Sequence, residues 1–221
     1  MKDIMIMNVK KIALGAAVVF FTNFAFAQSL QDGINSIDSD KFAAAKTNFS
    51  AMIAKEPTAE NYFYLGNTFL RQAEPDFAAA TENFNKGLAV DKKSYLNQIG
   101  LATVKLGKGD KSAIAEIQKI AESREKDAEV QYRAAEALTL FDKNNSPDLA
   151  IQFLNKAIER ASKKEVPAYY YYTLGDAYRL KRIPGDAMSA YDKALPLAKN
   201  KGAVYTRMAT LWMAAQQWQQ W

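Results

Sequence analysis

The sequence predicts an all-α protein, an α-solenoid of stacked helical hairpins, on three observations. Small residues recur at Gly33, Gly66, Gly100, Ala135, Gly175 and Ala209, in steps of 33, 34, 35, 40 and 34 residues. A period of that length marks a repeated supersecondary unit that cannot bury its apolar face alone. Behind each of the first five comes a second series, Ala45, Ala80, Ala113, Ala150 and Ala187. Four positions after each stands a large residue (Phe49, Phe84, Ile117, Leu154, Tyr191), and three further on Met52, Gly87, Ile120, Ala157 and Ala194. Steps of four and three trace one face of a helix, so each unit is two amphipathic helices, A and B. The third observation is an omission: the 221 residues contain no Cys and no His. That excludes a disulfide framework, a thiolate nucleophile, a Cys zinc site, the commonest general base and the commonest transition-metal ligand.

Residues 1–27 are set apart. Lys2, Lys10 and Lys11 precede an apolar run from Ile12 to Phe21, and Ala25-Phe26-Ala27 follows. This is the make-up of a secretory signal peptide, cut after Ala27 to leave Gln28 first. The run is shorter than the roughly 20 residues that cross a bilayer, which disfavours an uncleaved anchor and any stable membrane span after cleavage. Met7 offers a cleaner start than Met1. Cleavage takes three Lys and one Asp from a formal charge of +5, leaving +3. So weak and interspersed a charge argues against nucleic acid.

The remaining chain divides into units of about 28–58, 59–92, 93–127, 128–166 and 168–201, with a partial unit over 202–221. The turns have local causes. Pro57 closes the first unit, and Gly107-Lys108-Gly109-Asp110 breaks the third. Ser146 before Pro147 reads as a cap with proline at the first helical position, and Pro184 repeats the device. Lys126, Lys163-Lys164 and Lys199-Asn200-Lys201 sit where cations suit helix C-termini. The recurring Gly or Ala on helix A leaves room for the large residue of helix B in the same unit, and that close contact sets the spacing of the pair.

These residues resemble the tetratricopeptide repeat (TPR) family. Tyr171, Leu174, Gly175, Tyr178, Ala187, Tyr191 and Ala194 fit its spacing without a gap. The second unit fits with two extra residues near Glu74-Pro75, the fourth with a longer turn from Phe141 to Pro147, and the third through Gly100, Ala113 and Ile117. The resemblance covers essentially all of 29–221 and implies a right-handed solenoid. In a sixth unit, Tyr205, Met208, Ala209 and Trp212 match helix A, Trp218 falls where helix B should begin, and Trp221 stands where a small residue is due. The expectation is an array truncated at Trp221. The rival is that helix 202–216 caps the solenoid and the Trp-rich tail folds back over it.

The resemblance also implies where a partner binds: the concave face, lined by set positions of each helix A. In the second unit these include Phe63, Asn67 and Arg71, and in the third Asn97 and Lys105. The fourth supplies Tyr132 and Glu136, the fifth Tyr169, Tyr172, Asp176 and Arg179. Aromatic and Arg residues are frequent energetic centres of interfaces. Phe63 stands where carboxylate-clamping members carry Lys, so that ligand is not expected. No GxxxxGK[ST], GxSxG or EF-hand spacing occurs. The reading is a non-catalytic protein- or peptide-binding scaffold of the bacterial periplasm or outer-membrane periphery, without cofactor or metal. The run Tyr169–Tyr172 raises a rival, a glycan-binding or import accessory. A third possibility is the docking arm of a larger protein.

Overall fold

A computed structural model describes residues 29–161 and 165–218. The proposed signal peptide, Lys163-Lys164 and Trp221 lie outside the described residues. Among these residues every regular element is a helix. In order they are α1 (Leu30–Asp38), α2 (Phe42–Lys55), α3 (Ala59–Leu70), α4 (Phe77–Val90), α5 (Tyr95–Gly107), α6 (Ala113–Ser123), α7 (Ala128–Thr139), α8 (Pro147–Ala161), α9 (Ala168–Leu180), α10 (Pro184–Ala194) and α11 (Lys201–Trp218). Odd-numbered helices are of type A and even-numbered of type B. Each pair α1–α2 to α9–α10 is a hairpin, and successive A helices pack side by side.

Most A helices open on a side-chain cap. Ser29, Thr58, Ser94 and Asp127 accept hydrogen bonds from backbone N–H groups of the first turns of α1, α3, α5 and α7. This satisfies one of the donors that a helix start leaves open. Three A-to-B turns share one conformation. Asp40, Gly109 and Arg182 have φ of 56°, 99° and 63°. The N–H of the next residue donates five positions back, Lys41 to Ser36, Asp110 to Lys105 and Ile183 to Tyr178, which is a Schellman closure. The second and fourth units insert residues at this point. There Asp76 N–H reaches Phe69 O and Ser146 N–H reaches Leu138 O. The lysines expected at helix C-termini are placed otherwise. Lys126 lies past Ser123, where α6 ends, and Lys199 lies past Ala194, where α10 ends, while Lys201 opens α11.

The helix-B pattern is the core. Ala45, Ala80, Ala113, Ala150 and Ala187 are fully buried, as are Phe49, Phe84, Ile117, Leu154 and Tyr191. Phe49 fills the space a Cβ on Gly33 would take, Phe84 that of Gly66, and Tyr191 that of Gly175, all within 3.0 Å. Gly100 departs from the expected pairing. Its open side faces Phe84 of the preceding unit rather than Ile117 of its own. Phe84 is thus wedged between two glycines on successive A helices. α11 runs unbroken through Trp218, so that residue does not begin a new helix, and up to it the chain does not fold back.

Candidate functional site

Type A helices line the inside of the curve, and the curve is tight enough that they meet across it. Helix α3 reaches α7, past α5: the Tyr64 hydroxyl donates to Glu129 at 3.0 Å and the Asn67 amide to Glu136 at 3.3 Å. Arg71, just after α3, donates to Glu136 at 3.0 Å and lies 3.5 Å from Asp38 of α1. Arg133 is the centre. It pairs with Glu129 and Glu136, both at 2.8 Å, and its guanidinium lies over the rings of Phe63, Tyr64 and Tyr132. Tyr132 stacks on Tyr170 at 4.7 Å between ring centroids and donates to Glu136. Tyr169 touches all three apolar clusters of the molecule.

This packing settles the electrostatics. Burial alone would raise the Glu136 carboxyl, but Arg133 and Arg71, with hydrogen bonds from Arg133 and Tyr132, hold it below the usual carboxylate range. Asp38 goes the other way. Its burial outweighs Arg71 and its pKa is raised. Burial also pushes the Tyr132 and Tyr172 hydroxyls well up, so both stay neutral. A buried carboxylate needs partners. Glu136 accepts from four side chains, Arg133, Arg71, Tyr132 and Asn67, whereas Asp38 has a long contact to Arg71 and the neighbouring Tyr172 hydroxyl.

The concave-face prediction therefore needs correcting. Phe63, Asn67, Tyr132, Glu136 and Tyr172 are buried, not exposed on an open groove, because the opposing helices fill the groove. Asn97 is not in the groove at all. Its amide donates at 2.8 Å to both Ala59 O and Ser94 Oγ, in space left by Gly87. It belongs to a set of amides that latch neighbouring units, since Asn61 donates to Glu56 O and Gln131 to Ala121 O. Lys105 is exposed and pairs with Glu116 within its own hairpin. Arg71 is spent inside the network. Tyr169, Asp176 and Arg179 stay partly exposed. Arg133, Asp38 and Arg207 were not anticipated. The pattern Glu129-x-x-x-Arg133-x-x-Glu136 is a readable hint, since it puts an Arg between two acids on one helix face.

Among the described residues, two of the clefts beside the closed interior are lined by Tyr172. One, of about 340 Å³, lies between α1 and the segment around Tyr169, with Gln31, Asn35, Asp38 and Asn200 on its walls. The other, of about 350 Å³, holds Arg71, Asp176, Arg179, Arg207 and four threonines. Arg207 is held by Asp176 at 3.1 Å and stacks on Tyr172. Arg179 has only a loose ion pair, 3.9 Å from Asp142. The buried Tyr172 hydroxyl faces the Asp38 carboxyl closely enough to lower that carboxyl's pKa against the rise from burial, but outside full hydrogen-bond geometry. Among the described residues no cluster of acidic groups is placed to hold a metal ion, and no helix is long and apolar enough to cross a membrane.

Neither a family model nor a curated protein matches the sequence. Solved structures do match the fold. A thermophilic TPR protein of Thermus thermophilus superposes with a TM-score of 0.58 at 18% identity, over 83% of this chain and 97% of that one. A chain of the APC/C hetero-tetramer Cut9–Hcn1 gives 0.53 at 18% identity, over 83% of this chain and 35% of that one. A tetratricopeptide repeat protein from Parabacteroides merdae gives 0.50 at 13% identity, over 83% and 70%. The class is thereby defined: the chain has the all-helical α-solenoid fold of TPR proteins.

Proposed function

We propose that this chain is a non-catalytic scaffold of the bacterial cell envelope that binds a protein or peptide at the mouth of its closed solenoid. The site is the cleft holding Tyr172, Asp176, Arg179 and Arg207. The observation that carries the reading is unspent polar capacity in one place. The Tyr172 hydroxyl is buried with only an imperfectly aligned contact to Asp38, and Arg179 has only a long contact to an exposed Asp142. A buried polar group left unpaired costs about 1–3 kcal/mol, a cost that a ligand's carbonyl or carboxylate would remove. Export rests on the make-up of residues 1–27, and N-terminal sequencing of the envelope form should begin at Gln28.

Tyr172→Phe tests the site, because it keeps the buried ring and removes the poorly satisfied hydroxyl. The variant should melt at or slightly above the wild-type temperature. A photo-crosslinking residue at Thr206 should then capture the envelope partner in the wild type and lose it in Tyr172→Phe. Equal capture in both, or capture only from Lys86 on the outer face of α4, would refute the site. The other cleft favours a second reading. Tyr169 with the amides of Gln31, Asn35 and Asn200 is a set of groups suited to sugar hydroxyls and ring faces. Oligosaccharide titration followed by tyrosine and tryptophan emission would detect it, and an unchanged spectrum would reject it.

A further inference from the structure

Among the described residues, helix α11 carries a face that belongs to neither cleft. α11 is seated on the fifth unit as a type A helix. Val204 and Leu211 are buried, Met208 packs beside them, and Arg207 is bound to Asp176. These positions repeat α9 at a step of 34: Tyr170 and Val204 are buried alike, as are Ala177 and Leu211. The same step pairs Tyr171 with Tyr205, Gly175 with Ala209 and Tyr178 with Trp212. In α9 that face is covered by Tyr191 of α10. On α11 it is open. Tyr205, Trp212 and Met213 are 55%, 64% and 60% exposed, and Ala209 between them is exposed too. From Gly202 to Trp218 the only charged residue is Arg207, which is turned inward.

We propose that this face is an acceptor seam for one amphipathic helix from a partner, with a large aromatic or aliphatic residue flanked by a small residue four positions before and another three positions after. The molecule supplies the template. Phe84 over Gly66, flanked by Ala80 and Gly87, and Tyr191 over Gly175, flanked by Ala187 and Ala194, each come from a helix of that pattern, and Phe49 over Gly33 keeps the leading Ala45 but carries Met52 at the trailing position. The seam over Ala209, walled by Tyr205 and Trp212, continues the series. A second copy cannot donate such a helix, because Phe49, Phe84, Ile117, Leu154 and Tyr191 are all fully buried within it. The donor must also be uncharged along the face that meets the seam, since the seam offers no counter-charge.

The probe is a fluorescein-labelled peptide with the sequence of residues 183–199, which carries Ala187, Tyr191 and Ala194 in the required register. Added to the purified chain, it should bind saturably by anisotropy and shift the tryptophan emission to shorter wavelength. Ala209→Leu fills the seam, and being an exposed helical position it should leave the helical circular dichroism and the melt unchanged. It should weaken binding by about tenfold or more, as should Tyr191→Ser in the peptide. No saturation by about 1 mM peptide, or equal binding by Ala209→Leu, would overturn the proposal. So would a chain that sediments as a dimer and becomes monomeric on Ala209→Leu, because the seam would then be closed by a second copy's α11. The cleft variant Tyr172→Phe should bind the peptide normally, which separates this face from the mouth of the solenoid.

Discussion

Glu136 and Asp38 show how residue-level environment sets the response to acid. Glu136 has a folded pKa below its ordinary 4.5. It therefore adds stability that is present above 4.5 and is lost as pH falls through the folded value. Asp38 has a folded pKa above its ordinary 3.8. Its ionised form burdens the fold at neutral pH, and that burden lifts as pH falls through the raised value. Glu136→Gln removes the first contribution and leaves the buried Arg133 and Arg71 short of a partner. It should cost roughly 3 kcal/mol at neutral pH, and its urea midpoint should fall less steeply than wild type below pH 4.5. Parallel curves for the two proteins would show that Glu136 does not carry this term. Glycine positions give a test with opposite signs. A Cβ at Gly175 would lie within 3.0 Å of the fully buried Tyr191 ring, whereas one at Gly185 would meet nothing within 4 Å. Gly175→Ala should cost about 1–3 kcal/mol, more than the helix-propensity gain of about 1 kcal/mol. Gly185→Ala should stabilise by a few tenths to about 1 kcal/mol. Thermal melts of both variants check the pair.

Among elements, the turns divide sharply into what could be read and what could not. Pro147 and Pro184 do open α8 and α10, as their side chemistry requires, because a missing N–H costs nothing in a first turn. Gly109 marks its own left-handed turn. Asp40 and Arg182 adopt the same conformation without a glycine to announce it, since the hairpin geometry imposes it on whatever residue arrives there. The strain is therefore local and removable. Arg182 is exposed and at φ 63°, where an L side chain costs about 1 kcal/mol. Arg182→Gly should raise the urea midpoint by a few tenths to about 1 kcal/mol of stability. Gly109→Ala, at φ 99°, should lower it. Equal effects of the two would mean that the shared closure is not the source of strain. The amide latches were hidden for a related reason. Asn61, Asn97 and Gln131 do one job with two side-chain lengths and three different acceptors, so no periodic residue type signals them.

In the whole molecule the repeat pattern specified neighbours and left the curvature open. Seam residues such as Gly66 with Phe84 recur at fixed spacing, so the hairpins were readable from the periodicity alone. The closed interior was not. Its contacts join Tyr64 to Glu129 and Asn67 to Glu136, 65 and 69 residues apart, and they skip a whole unit. Family positions put Phe63, Tyr132 and Tyr172 on a face that would be open at gentler curvature. Here the charged network around Arg133 spans that face, which is closed. The consequence is energetic as well as geometric. A solenoid usually behaves as a one-dimensional chain in which a weak unit affects only its neighbours. In this one Asp38 of the first unit lies beside Tyr172 of the fifth, and Tyr169 touches every apolar cluster. Phe49→Ala, which empties the seam of the first unit, should cost about 3–5 kcal/mol. If the ring transmits the loss, amide exchange in α9 should speed up with that in α1 and α2, more than in the outer helix α6. In the Glu136→Gln background the link across the interior is weakened, and the same substitution should then accelerate α9 much less. Exchange confined to the first two units in both backgrounds would mean that the interior contacts carry no cooperativity.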